Sequence, residues 1–398
     1  MDSTASRPAI RFTGHNGLVR RLVLSTLLGK AVRIFHIHDN ALASQGLAPH
    51  EDTLLRLIET ITNGTVTEIS YNGTSLHYSP GLITGTRSGL ARHDGFVPFN
   101  IPAASTRGIS YFLLPLCLLA PFSKSEIKIF FSGPGLTTSA TQYGDVSLHT
   151  FRSTILPLFA RLGLQSGIEI KVTQSSDSQP HVRPGSSGVL FVFPRPIRTI
   201  PVISWTTTGV VKSIRGVAYC TNVSVSNNRR AMDAARKVLN EFAANVYVFS
   251  DVTRDTAVRA DKESVQGKPG NKGFGLSLIA QTTTSGIFSA DLSSDPAGGS
   301  LPEAIGIECA YQLLDAIDGG GSASPLAADM LLTFMMMGTQ DVGRLRLSRA
   351  IVRSRRFLNH CRDARQFDTP TWNIKEIGDG DFTVQIVGAG IGTAMRKS

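Results

Sequence analysis

The sequence predicts a mixed α/β (α+β) fold in which one unit is repeated three times and a smaller α/β domain is inserted in the last repeat. Three observations lead there. An amphipathic helix, a turn and two β-rich runs recur three times along the 398 residues. The first two of these helices begin roughly a hundred residues apart and the next follows after about twice that distance, which leaves room for an insertion of about a hundred residues. Hydrophobic residues make up 41% of the chain against 18% charged, a balance that suits buried cores and not a disordered chain.

Taken in order, the first repeated helix is predicted over 51–62, where Leu54, Leu55, Leu57 and Ile58 form the apolar stripe. Strands at 66–71 and 75–78 follow, turned by Asn72-Gly73, a strong hairpin signal. The second unit is a helix over 148–162 with strands at 167–172 and 188–193. The third is a helix over 349–365 with strands at 371–377 and 382–387 around Gly378-Asp379-Gly380. Between the last two units the pattern gives a strand at 210–221, a helix at 228–244 and a strand at 246–250. A glycine-rich loop over 267–275 and a strand pair at 274–283 and 286–292 complete a small β-α-β-β sheet. The chain returns to the main body near a helix at 303–317. The domains are therefore 1–195 (repeats one and two), 196–295 (insertion) and 296–398 (third repeat).

A net charge of +10 directs attention to anionic partners. The four cysteines, Cys117, Cys220, Cys309 and Cys361, are far apart, which argues against a zinc site or a disulfide framework and fits a reducing compartment. The first nine residues hold no apolar signal segment. The longest apolar run, 111–122, is too short to cross a bilayer and is broken by Pro115 and Pro121, so no membrane partner is expected.

Four stretches carry chemical interest. In Phe12-Thr13-Gly14-His15-Asn16-Gly17-Leu18-Val19-Arg20-Arg21, glycines precede an apolar helix over 22–28. Main-chain N–H groups at a helix start, with Arg20 and Arg21, could hold a phosphate; a tight turn into a core helix is the bland alternative. In Asp318-Gly319-Gly320-Gly321-Ser322-Ala323-Ser324-Pro325, Ser324 is a good N-cap and Pro325 suits the first helical position, so a helix runs on to about residue 337. Met335-Met336-Met337 is core. His36 and His38 fall on one face of a predicted strand with no identifiable third ligand, so the pair is structural and no metal is expected.

The fourth stretch is the strongest. Residues 344–365 hold eight arginines against one acid, Asp363. Ile351, Ser354, Leu358 and Cys361 are expected to face inward, with Arg349, Arg353 and Arg356 along the opposite side. Guanidinium-rich faces suit bidentate and stacked contacts with RNA, and Arg349, Arg353, Arg356, Arg362, Asp363 and Arg365 are the candidate RNA-binding residues. A carboxylate flanked by Arg362 and Arg365 could polarise a ribose 2′-hydroxyl, although no pair of histidines is apparent for general acid–base work on RNA.

The run Ser324-Pro325-Leu326-Ala327-Ala328-Asp329-Met330-Leu331-Leu332 resembles the signature of the RNA 3′-terminal phosphate cyclases. In that family, a helix bearing His-Leu-Ala-Asp-Gln supplies the histidine that becomes adenylated. Aligning Asp329 with the family aspartate places Leu326 at the histidine, and an isobutyl group has no lone pair with which to attack ATP. Gly14 and Arg20, Gly46-Leu47, Arg152 at the second repeat helix, and Arg215-Gly216-Val217-Ala218-Tyr219 extend the likeness over nearly the whole chain. The family carries a glycine triplet near Gly14; here two of those glycines are gone.

The resemblance implies three repeats like the C-terminal domain of initiation factor 3, and an anion site at Gly14, Arg20, Arg21 and Arg152. It points to the cyclase-like, ribosome-biogenesis branch: no cyclase activity and no cofactor, and a role in 18S pre-rRNA processing. It also implies partners in pre-rRNA, the small-subunit processome and a nucleolar GTPase, and a place in the nucleus and nucleolus. Two rivals remain: an endoribonuclease using Arg362, Asp363 and Arg365, and a cyclase with a displaced nucleophile, His15 or His50.

Overall fold

A computed structural model describes residues 8–40, 45–86, 95–164, 167–174, 187–194, 197, 199–253, 273–295, 298–369, 372–378 and 380–391. The first repeat runs β1 (Ile10–Thr13), α1 (Leu18–Leu28), β2 (Val32–Phe35), α2 (Pro49–Ile61), β3 (Thr62–Asn63), β4 (Val66–Ile69), β5 (Leu76–Ser79) and β6 (Leu82–Ile83). The second runs β7 (Val97–Asn100), α3 (Ile109–Leu119), β8 (Ile127–Ser132), α4 (Leu148–Arg161), β9 (Glu169–Gln174) and β10 (Ser187–Phe193). The third opens with β11 (Ser204–Trp205) and is interrupted at once. The insertion supplies β12 (Val211–Thr221), α5 (Ser226–Leu239), β13 (Val246–Thr253), β14 (Gly273–Thr282), β15 (Ile287–Ser293) and α6 (Pro302–Asp318). The repeat then resumes with α7 (Pro325–Met337), β16 (Val342–Leu347), α8 (Arg349–Arg353), α9 (Arg355–Gln366), β17 (Trp372–Glu376) and β18 (Phe382–Val387).

The repeats share one topology. Their sheets are ordered β1-β2-β5-β4, β7-β8-β10-β9 and β11-β16-β18-β17. In each, the first pair is parallel and needs a crossover helix, and the remaining pairs are antiparallel. The insertion therefore sits inside the crossover that joins β11 to β16. Each unit has a βαβαββ core, and beside that of the first repeat β3 and β6 form a separate two-stranded ribbon.

Helix α7 is central. Phe334, Met336 and Met337 are fully buried and Met335 nearly so, as expected for a helix that is apolar all round. It joins one continuous core drawn from all three repeats, in which Phe334 lies against Phe159 of α4 at 6.0 Å between ring centroids. Each fully buried leucine or methionine there contributes about 1.5–3 kcal/mol.

The insertion has a second core. Its sheet, ordered β13-β12-β14-β15, packs Val248, Leu276 and Leu278 against Leu239 of α5 and Ile305, Cys309 and Leu313 of α6. By packing, α6 belongs with the insertion, which so continues to Asp318 and not to 295. Gly306 marks the closest approach of its two helices: a Cβ there would meet the Ala231 carbonyl oxygen at 2.2 Å. The strand reached earlier than the loop reading allowed, at Gly273; the remainder of 267–272 lies outside the described residues.

Two local expectations are corrected. The helix expected over 349–365 is two helices, because Ser354 adopts an extended backbone (ψ 144°) and its hydroxyl accepts from the Phe357 N–H, starting α9 afresh. His36 and His38 lie beyond the end of β2, both with positive φ (58° and 47°), in a loop and not on a strand face.

Candidate functional site

The head of α1 is where the predicted anion site falls. Gly17 caps the helix in the left-handed region (φ 82°), and a Cβ there would come within 2.8 Å of an Asp363 oxygen, so two constraints require glycine. Arg20 and Arg21 both turn to that carboxylate from α9. Arg20 donates through Nε and Nη2 to Asp363 Oδ2 (3.3 and 3.2 Å) and through Nη1 to the Arg356 carbonyl (3.3 Å). Arg21 donates through Nε to Asp363 Oδ1 (3.1 Å) and through Nη1 to the Gly14 carbonyl (2.8 Å), with its guanidinium over the Phe12 ring. The side chains of Arg20, Arg21 and Asp363 are only 15%, 10% and 5% exposed. Asp363, expected between Arg362 and Arg365, is thus held by two arginines more than three hundred residues away.

The glycine lead-in to α7 is filled in the same manner. Gly320 and Gly321 take positive φ (72° and 84°), and the Gly321 N–H donates to Asp381 Oδ2 (3.1 Å), which also receives Arg346 Nε (2.7 Å). The N-cap is as read: Ser324 Oγ accepts from the Ala327 N–H. Leu326 is half-buried and packs on the main core. One turn on, Asp329 accepts from Arg356 Nε, and its other oxygen lies 3.7 Å from Nδ1 of the buried His360. Burial opposes the Asp329 carboxylate, but His360 and the Arg356 and Arg20 guanidiniums outweigh it and hold its pKa down at about 2. At the start of α3, Arg107 grips Asp145 through two hydrogen bonds (2.7 and 2.5 Å) while the same carboxylate accepts from the Gly108 N–H (2.9 Å). Each of these places, where an anion would sit, already holds a carboxylate of the chain itself.

The arginines of α8 and α9 divide into two sets. Arg349 pairs with Glu376 (2.9 Å) and Arg356 with Asp329. Arg353, Arg355, Arg362 and Arg365 are exposed and carry no ion pair among the described residues. On α9 the free ones fall at i, i+7 and i+10, so Arg355, Arg362 and Arg365 share one stripe. Leu358, expected inside, lies on that stripe and is 44% exposed. The restart at Ser354 resets the helical phase, turning Phe357, His360 and Ala364 inward instead. Arg152 makes no bond to the Arg20 cluster: it is exposed on α4, three residues after His149, which faces the inserted sheet.

Sequence reasoning missed one grouping. His15 and His38 stack at 3.8 Å between centroids, and His38 Nε2 lies 3.3 Å from Glu51 Oε1. Burial, with His38 adding to it, lowers the His15 pKa. Two stacked rings cannot stand on opposite sides of a phosphodiester, so this is not the acid–base geometry RNA cleavage needs. His50, the other candidate displaced nucleophile, is set edge-on against Tyr111 of α3 (5.3 Å). A cleft of about 630 Å³ opens between the insertion and the third repeat, lined by Lys212, Phe242, Gly320 and Arg346 among others, apart from the signature helix of α7.

Three such repeats, one interrupted in its crossover by a small α/β domain and followed by a signature helix at its return, define a cyclase-type scaffold. The profile of the RNA 3′-terminal phosphate cyclases matches residues 10–369, and the chain belongs to that family. It is 34% identical over 394 residues to an RNA 3′-terminal phosphate cyclase-like protein of Mus musculus, covering 96% of each chain. It is 31% identical over 391 residues to the rRNA processing protein RCL1 of Saccharomyces cerevisiae (97% of each), and 31% identical over 389 residues to the rRNA processing protein rcl1 of Schizosaccharomyces pombe (97% and 98%).

Proposed function

We propose that this chain is a non-catalytic RNA-binding factor in rRNA processing, built on a cyclase scaffold that has lost its nucleophile. The observation that carries the reading is the split among its cations. Those in the former catalytic region are committed to Asp363, Asp329, Asp381 and Asp145, while Arg353, Arg355, Arg362 and Arg365 face solvent without acidic partners among the described residues. Relatives named for rRNA processing support the substrate class. In the finer form of the proposal the RNA is 18S pre-rRNA, the setting is the small-subunit processome in the nucleolus, and surface away from α9 docks a ribosome-biogenesis GTPase.

An endoribonuclease centred on Asp363 draws no support from the geometry, since both its oxygens are occupied by buried guanidiniums. The test is the affinity of the purified protein for a single-stranded pre-rRNA fragment as salt is varied. Binding carried by these arginines should weaken linearly in log–log form, with a slope of about −0.7 per phosphate contact. Affinity that stays flat with salt would contradict the proposal.

A further inference from the structure

The inserted domain leaves part of one sheet face uncovered. Helices α5 and α6 close the face bearing Val248, Leu276 and Leu278. On the opposite face, strand register sets Arg215 beside Tyr247, Val217 beside Phe249 and Tyr219 beside Asp251 across β12 and β13, with Ser277 of β14 level with Val217. Helix α4 of the second repeat covers β14, β15 and the Tyr219 end of β12. It is fastened there by Thr150 Oγ1 to Ser277 Oγ (2.5 Å), by the Ser147 N–H to Asp291 (2.5 Å) and by His149 stacked on Tyr219 (5.3 Å). Its reach toward β13 ends at Asp251, 3.6 Å from His149.

Beyond that point lie two aromatic rings in solvent. Tyr247 is 66% exposed and Phe249 46%, with centroids 6.3 Å apart on one face of an edge strand. Burying rings of this size is normally worth a good deal, so a pair left open on a regular strand calls for an occupant. Arg215 adjoins Tyr247, is exposed, and has no ion pair among the described residues. Arg152 projects from the adjoining α4 one turn past His149, also exposed. Among the described residues, the acid on this part of the face, Asp251, is set at its far end against His149.

We infer that Tyr247 and Phe249, flanked by Arg215 and Arg152, form a stacking platform for the bases of single-stranded RNA. Ring faces accept any base, and arginines beside them hold the backbone or stack in their turn; this is the usual pairing in sequence-tolerant single-strand binding. Unbalanced positive charge beside the rings favours a nucleic acid over an apolar protein segment, which would leave both guanidiniums uncompensated. The platform rests on the RNA-binding reading above and gives that RNA a second point of contact, on a different domain from α9.

The experiment uses the full chain and a single-stranded oligoribonucleotide carrying 2-aminopurine, followed by fluorescence and anisotropy. Wild-type protein should quench the probe as the base stacks. The double variant Tyr247→Ala, Phe249→Ala should lose the quenching and bind at least about tenfold more weakly with an unchanged salt slope, since it removes no charge. Arg215→Ala should instead reduce the slope by about 0.7. Both changes are on the surface, and an unaltered circular dichroism melt confirms the fold. Wild-type affinity and quenching in the double variant would overturn the platform, including the case in which the rings hold a protein. If charge reversal on α9 still weakens binding there, the RNA-binding proposal survives alone; no binding by wild type would defeat both.

Discussion

Replacing Asp363 by alanine is expected to destabilise the protein by about 3–5 kcal/mol, because it strands two buried guanidiniums without their counter-charge. Arg20 and Arg21 reach Asp363 across the packing of α1 against α9, and their exposures of 15% and 10% leave water little access to replace it. Urea denaturation of the variant should therefore show a much lowered midpoint. A fuller replacement distinguishes a structural carboxylate from a catalytic one. Arg20→Met, Arg21→Met and Asp363→Leu together remove the two guanidiniums and the carboxylate they share and should recover most of the lost stability, since an apolar cluster of similar volume often equals or betters a buried ion network. Loss of any RNA-cleaving activity in Asp363→Ala would on these grounds report unfolding, and only the stable triple variant could speak to chemistry.

Reversing the exposed stripe, Arg355→Glu with Arg362→Glu and Arg365→Glu, is expected to leave stability nearly unchanged and to lower RNA affinity about a hundredfold at 0.1 M salt. The estimate takes one phosphate contact per arginine, each contributing about 0.7 to the logarithm of the binding constant at that salt. None of the three makes an ion pair among the described residues, so no internal partner is orphaned by the change. Arg349→Glu and Arg356→Glu form the instructive contrast. Those side chains are held by Glu376 and Asp329, and reversing Arg356 places two carboxylates together beside Arg20. Equal losses from both sets, with fold retained, would show that pairing in the structure does not determine which arginines meet RNA.

Much of the architecture was legible because it depends on local pattern. Ser324 as a cap, Pro325 at the first helical position and an unbroken apolar run together defined α7 to its ends. The strand pairs of each repeat, and those of the insertion, followed from alternation and glycine-bearing turns. What escaped depended on contacts distant in sequence. Asp363 lies beside two arginines in its own helix sequence, yet its partners come from α1, and nothing in residue spacing could indicate that. His15 and His38 meet only because β1 and β2 end side by side.

The break at Ser354 did have a signal. A serine three residues before a phenylalanine that must be buried is a helix start placed inside a helical pattern, and reading it would have set Leu358 on the outer face. The residues of the signature itself were read through the resemblance, and their chemistry through elementary valence: leucine has no lone pair. Composition alone would have placed the anion sites at the glycine-rich turns, because it cannot reveal that Asp145, Asp363 and Asp381 fold back to fill them.

Covalent labelling by α-labelled ATP with magnesium tests most directly the claim that this cyclase scaffold no longer performs nucleotidyl transfer. On the proposed reading, in which Leu326 replaces the family histidine, wild-type protein should take up no label. A nucleotide bonded to any residue of the wild-type chain, mapped by mass spectrometry, would contradict the account and show that another side chain had taken over the nucleophile's role.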